Sequence, residues 1–245
     1  TANAATIEVA NMSLGGSVYN RAEYEAIQGA VDKGVAFAVA AGNDGEDAAN
    51  FYPAAFDNVL TVSALADYDG EPGENSEKYD TLAYFSNWGT AVDIAAPGVN
   101  IFSTFPMEMG EYNSISGTSM ASPHVAGALA LLASANNPID ATDVRNLYNS
   151  VIVAGNFDWV DDSADGIQEP LLDVSNSTVF APVLVLGDGG ITPINEPPSV
   201  IISSPSNGAS FDSGTSIRQS SEQESCPRPF LHYSSVLYLH VQGKC

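Results

Sequence analysis

The segment VAFAVAA, residues 35–41, contains no polar position. An uninterrupted apolar run of this length fits a strand buried on both faces of a sheet. Residues 59–64, VLTVSA, form a second short buried strand, and residues 7–14 read as a strand that ends on Gly15 and Gly16. Between the strands at 7–14 and 35–41 the period changes. Tyr24, Ile27, Ala30 and Val31 recur at helical spacing, Asn20 stands at a capping position, and Gly34 stops the helix just after Lys33. Strand, helix, buried strand and strand again predict an α/β fold, a parallel β-sheet flanked by helices on both faces.

The pattern continues through the middle of the chain. Residues 67–80 are a polar loop, and residues 92–95 are a strand followed by a Pro97–Gly98 turn. Residues 101–105 and 112–115 can pair as a hairpin. Residues 119–135 are small and apolar almost all round, which predicts a buried helix. Asp140 and Asp143 open another helix, with Val144, Leu147, Tyr148 and Val151 on its inner face.

After Pro182 the texture changes. Residues 1–182 form the main domain, and residues 183–198 are a Gly/Pro-rich linker. Residues 199–217 alternate around an Asn207–Gly208 turn and resemble the opening strands of an Ig-like β-module of the kind appended to secreted bacterial enzymes. Two strands are too few for such a module to fold alone. Residues 218–245 break the pattern once more. They carry 3 basic and 2 acidic residues, against 4 and 28 in residues 1–217. They also hold Cys226, Cys245, His232 and His240, and read as an unrelated tail, disordered or out of frame.

Size and charge narrow the function. The 245 residues, 44% of them hydrophobic, can build one medium domain with a sizeable core. A formal charge of −23 repels nucleic acid and anionic membranes, so neither is expected as a partner. No segment reaches the roughly 18 apolar residues of a membrane helix. The acidic surface suits a secreted protein or one from a salty setting. The chain starts without Met, inside an apparent strand, as a fragment missing its beginning would. Two cysteines in the last twenty residues make neither a metal motif nor a disulfide scaffold.

Candidate chemistry centres on SISGTSMASPHVAG, residues 114–127. Ser119 sits between Gly117 and a helix. Free N–H groups and the positive end of the helix dipole gather at such a terminus, and small neighbours admit a substrate backbone. Pro123, near the first turn, is expected to cost little hydrogen bonding. For a bare Gly–Thr–Ser, a helix cap by Thr118 or Ser119 is the simpler reading. The whole string changes the balance. SGTSMASPHVAG resembles the serine motif of subtilisin-like serine proteases, the subtilases, with Ser119 as nucleophile.

VAFAVAAGNDG resembles the segment of the same family in which Asn43 donates its side-chain amide to the oxyanion hole. A neutral donor there stabilises developing charge by roughly 3–4 kcal/mol. Asn43 argues against the related sedolisins, which use an acidic residue at that place. NMSLGG, residues 11–16, resembles the strand that pairs with substrate. The resemblance therefore implies substrate binding by Ser13, Leu14, Gly15 and Gly16, and by Ala40, Ala41 and Gly42 as a pocket wall. YPAAFDNVLTVSA and FSNWGTAVDIAAPGVNIFST resemble the segments between Asn and Ser. The likeness spans roughly residues 7–151 and extends toward residue 179.

The family also needs an Asp in Asp-Thr/Ser-Gly and a His in His-Gly-Thr-His, both upstream of the Asn. Neither occurs before Asn43. His124 belongs to the serine motif and reads as a packing histidine, turned away from Ser119. Asp212-Ser213-Gly214 matches the Asp motif by letters only, in the wrong order and domain. The implied function is a secreted serine endopeptidase working by a Ser-His-Asp mechanism on protein or peptide substrates, as a monomer, with this chain by itself inactive. One rival is a non-catalytic, subtilase-like binding or adhesion protein. Another is an esterase, disfavoured because GTSMA lacks the glycine two residues past the serine. No cofactor is required for the chemistry. Structural calcium is left open at Asp67 and Asp69, where subtilases often carry a site, and in DWVDDSADG, residues 158–166; a solvated loop is the simpler reading of both.

Overall fold

The computed structural model describes Asn3, residues 6–67 and residues 80–184. Strand β1, Val9–Met12, leads into helix α1, Arg21–Val31. Asn20 caps α1 as its sequence position suggests, its Oδ1 accepting from the N–H groups of Ala22 and Glu23 at 3.0 and 3.3 Å. Ile27, Ala30 and Val31 form the buried face. Gly34 then turns the chain at φ +87°, where a Cβ would stand 2.3 Å from the Pro138 carbonyl oxygen.

Strand β2, Ala36–Ala40, and strand β3, Leu60–Ala66, are buried along their whole length, so the sheet is covered on both faces. β1 pairs β2 in parallel, Val9 opposite Ala36, and β2 pairs β3 in parallel, Ala38 opposite Leu60. Strand β4, Thr81–Leu82, extends β3 in the antiparallel sense, and strand β5, Ile94–Pro97, pairs β3 in parallel. The sheet is thus parallel apart from β4. β5 lies two residues later than its apolar letters suggest, because the Val92 N–H turns back to the Gly89 carbonyl instead of joining the ladder. Strands β6, Ile101–Thr104, and β7, Tyr112–Ile115, form a separate exposed hairpin.

Helix α2, Thr118–Asn136, crosses β1, β2, β3 and β5 and buries Ala121, Val125, Ala128, Leu129, Leu132 and Ala133. Its small residues permit the close approach. It is not buried all round: Pro123, His124, Gly127 and Leu131 form an exposed stripe. Helix α3, Ala141–Ala154, is capped by Asp140 and packs Val144, Leu147, Tyr148 and Val151 inward. Helix α4, Ser177–Leu184, packs against α2 and α3 and was not foreseen. The first two residues given to the linker, 183 and 184, belong to α4; the rest of the linker, the β-module with Asp212, the tail with its cysteines and histidines, and Asp69 all lie outside the described residues.

Asp93 gives the fold a pH signature. Its carboxylate accepts from the Thr61 N–H at 2.7 Å. Burial raises its pKa to about 6, and the Thr61 bond only partly offsets this. A carboxyl with a raised folded pKa holds a proton in the native state that the unfolded chain has already released. Stability is therefore expected to fall as pH rises from about 4 to about 6, by up to about 3 kcal/mol from this group. Asp93→Asn keeps an acceptor for Thr61 and should flatten that segment of the curve. Denaturant melts of both proteins at pH 4, 5, 6 and 7 check it; equal slopes would refute the assignment.

Candidate active site

The site forms where β1 and β2 end and α2 begins, at the carboxyl edge of the parallel strands. Residues 41–46 leave β2 in a loop braced by Asn87, which is fully buried. Its Nδ2 donates to the Ala41 carbonyl at 3.0 Å, and its Oδ1 accepts from the N–H groups of Asp44 and Glu46 at 2.9 and 3.1 Å. One side chain thereby replaces the strand partners that the chain loses as it leaves the sheet. Asn87 lies within the quoted FSNWG segment, but only the folded chain shows what it holds.

Gly42 sits against this brace at φ +109°, where a Cβ would fall 2.3 Å from Asn87 Nδ2. Gly42→Ala should strain the backbone and displace Asn87 from its three bonds. The expected loss is about 2–4 kcal/mol, from the positive φ and the buried amide left unpaired. A melt within about 0.5 kcal/mol of wild type would show that the loop does not depend on this contact.

Asn43 stands exposed at the rim, and its Oδ1 is tied down. It accepts from the Thr118 backbone N–H at 2.8 Å and from Thr118 Oγ1 at 2.9 Å, while Thr118 Oγ1 accepts from the Gly42 N–H at 3.2 Å. With the oxygen anchored, Asn43 Nδ2 makes no hydrogen bond among the described residues. Neither Thr118 nor Ser119 caps α2. The cap residue is Gly117, without a side-chain bond, and Asn43 does the capping from another loop. The N–H groups of Met120 and Ala121 return to the Gly117 carbonyl, which leaves the Ser119 N–H unpaired among the described residues.

Ser119 is pinned from the opposite side by β1. Pro123 is the sixth residue of α2 and has no N–H for the Ser119 carbonyl four residues back, so the missing bond is a real vacancy in the helix ladder. Ser13 fills it: Ser13 Oγ donates to the Ser119 carbonyl at 2.7 Å. Asn11 Nδ2 donates to Ser13 Oγ at 3.0 Å, and Ser122 Oγ donates to Asn11 Oδ1 at 2.7 Å. Ser119 Oγ has only a long contact of 3.4 Å to the Ser13 carbonyl.

A cavity of about 360 Å³ opens beside these groups. Leu14, Gly15, Gly16, Ala40, Ala41, Gly42, Asn43, Thr118 and Ser119 line it, together with Phe51, Tyr52 and Ala54. Ser13 is the one expected binding residue that touches Ser119 instead of lining the cavity. Among the described residues no strand pairs with residues 13–15, which continue from the edge strand β1. Gly16 exchanges backbone bonds with Tyr52 at 2.9 and 2.7 Å, which closes the far wall. His124 is exposed, not packed inside, and its Nδ1 bonds the Met120 carbonyl of its own helix at 2.9 Å. It makes no bond to Ser119.

A serine hydroxyl on the first turn of a buried helix, two unpaired N–H donors beside it and a cleft at the carboxyl ends of parallel strands define an α/β protein with the layout of a serine hydrolase. The chain belongs to the subtilase family, whose model matches residues 2–167. It is 52% identical over 122 residues to "Subtilisin-like proteinase Spm1" of Pyricularia oryzae, covering 50% of this chain and 20% of that protein. It is 50% identical over 126 residues to "Alkaline protease 2" of Aspergillus fumigatus, covering 51% and 23%. The solved structure of a cold-adapted subtilisin-like serine proteinase superposes with a TM-score of 0.57 at 38% identity, over 69% of this chain and 57% of that one. The matched part of this chain thus spans about a fifth of the length of those fungal relatives. Among the described residues no helix is long and apolar enough to cross a membrane.

Proposed function

We propose that this chain is the part of a secreted subtilisin-like serine endopeptidase that carries the nucleophile, the oxyanion donors and one wall of the substrate cleft. Ser119 Oγ attacks the peptide carbonyl. Asn43 Nδ2 and the Ser119 N–H hold the resulting oxyanion. The peptide lies along residues 13–15 as an added strand, and the side chain before the cut enters the cavity walled by Ala40, Ala41 and Gly42. The observation that carries this reading is the anchoring of Asn43 Oδ1 by Thr118, which leaves a single amide donor beside Ser119 and its free N–H.

The base comes from outside these 245 residues. His124 is committed to its own helix, and the remaining histidines belong to the tail. The test joins this chain to the segment of a subtilisin-like catalytic domain that bears the His and Asp motifs. The joined protein should hydrolyse casein, and a fluorophosphonate should label the peptide containing Ser119. The chain by itself should do neither at a useful rate. A joined protein that folds yet neither cleaves casein nor labels at Ser119 would overturn the proposal.

A further inference from the structure

Asn11 lies in β1 and Ser13 just past its end, two positions apart, so both side chains leave the same face of the strand. Ser119 and Ser122 are three apart on α2 and share one side of that helix. The packing of α2 on β1 brings the two polar pairs together.

The direction of the hydrogen bonds between them is fixed by its last member. The Ser119 carbonyl can only accept, so Ser13 Oγ must spend its single hydrogen there, at 2.7 Å. Ser13 Oγ therefore meets Asn11 as an acceptor, and the donor end of the amide, Asn11 Nδ2, faces it at 3.0 Å. That leaves Asn11 Oδ1 turned the other way, where Ser122 Oγ donates to it at 2.7 Å. Ser122 is fully buried. A helical serine commonly bonds a carbonyl in its own preceding turn, as Ser134 and Ser150 do at 2.7 and 2.8 Å. Ser122 points across to β1 instead, and its bond decides which end of the Asn11 amide Ser13 meets.

The relay ends on the backbone of the one residue whose position matters most. Pro123 brings no N–H to the Ser119 carbonyl, so the Ser13 hydrogen stands in for a bond of the helix ladder. A tilt of the first turn at Ser119 moves its Oγ and its N–H at the same time.

We propose that Asn11 and Ser122 are positioning residues for Ser119. They aim the Ser13 hydrogen at the Ser119 carbonyl and so hold the start of α2 in the geometry that nucleophile and oxyanion donor both need. This role rests on the serine endopeptidase reading given above. Neither Asn11 nor Ser122 lines the cavity, so their effect falls on the chemical step and not on the fit of the substrate.

The test measures kcat and KM of the joined protein on a chromogenic peptide, with Tm read for every variant. Asn11→Asp keeps the size of the side chain and the acceptor for Ser122, and replaces the donor by a carboxylate oxygen. A charged acceptor competes better than a carbonyl for the Ser13 hydrogen, which then turns away from Ser119. The variant should lose kcat roughly 10- to 50-fold with KM within about twofold, the scale of loss for a reacting group misplaced by less than about 1 Å. Ser13→Ala removes the same hydrogen and should lose as much. The double variant should lose no more than either single one, because both break a single link. Ser13→Thr restores a hydroxyl and should regain at least about threefold over Ser13→Ala.

Folded Asn11→Asp with kcat within about threefold of the parent would overturn the proposal. So would losses that multiply in the double variant, or a loss carried by KM, which would put Asn11 in substrate binding. If Asn11→Asp does not fold, Ser13→Ala decides, and kcat within about threefold of the parent removes the relay. An inactive joined protein with the wild-type residues overturns the endopeptidase reading and this role with it. An active one whose folded variants are unaffected overturns the role alone.

Discussion

Ser119→Ala is expected to lower kcat of the joined catalytic domain by about 10⁶ while the protein stays folded; the size of the loss is taken from subtilisin. The structural effect should be small. Ser119 Oγ makes only the 3.4 Å contact to the Ser13 carbonyl, and the Ser119 carbonyl that Ser13 Oγ holds at 2.7 Å is backbone and survives the substitution. The change therefore removes the nucleophile and little else. A chromogenic peptide assay with thermal melts in parallel checks this. Residual turnover within a hundredfold of the parent, at unchanged Tm, would mean that another group attacks the substrate.

Asn43 is expected to give the second largest effect, a loss of about 10²–10³ in kcat with KM little changed, again on the scale measured for the corresponding donor of subtilisin. The choice of substitution matters, because the side chain has two jobs at its two ends. Oδ1 caps α2 by accepting from Thr118 at two atoms, and Nδ2 is the donor left over. Asn43→Leu removes both functions, so lost activity could follow from a displaced helix terminus. Asn43→Asp keeps the acceptor for Thr118 and replaces the donor by an oxygen that repels an oxyanion. It should therefore hold its Tm near that of the parent and lose at least as much kcat as Asn43→Leu. If Asn43→Asp stays within about threefold of the parent kcat, the oxyanion role fails and Asn43 is a helix cap supplied from another loop.

The local signals in the sequence were read at the scale on which they act. Asn20 bonds N–H groups two and three residues away, Asp140 does the same, and Gly34 turns the chain at the next residue; all three are visible within one helical turn. The uninterrupted run at 35–41 requires cover on both faces wherever it lies, so the buried parallel strand was legible without its neighbours. The serine and asparagine strings carried the family resemblance because the residues that shape the two loops are contiguous.

What remained depended on which distant residues meet. Pro123 reads as cheap when only its position near the helix start is counted; in the fold its missing N–H is replaced by Ser13, more than a hundred residues away in sequence. Asn87 carries nothing in its letters that distinguishes it from a turn residue, and it becomes a brace because β2 and the chain before β5 lie side by side. β4 runs antiparallel through a two-residue pairing with too few positions to show a period. The acidic run at 158–166 looks solvated because local reading assigns charge to the surface; the packing of Trp159 on Leu65, Leu82 and Ala95 draws Glu169 inside. Sequence by itself therefore determined most of the elements, the caps at Asn20 and Asp140 and the two strings that carry the family resemblance, since those follow from interactions within a few residues. Only the tertiary structure decided which carbonyl lacks its donor, which amide end faces the cleft and which carboxylates are buried together, because each depends on the register between segments that the chain order does not specify.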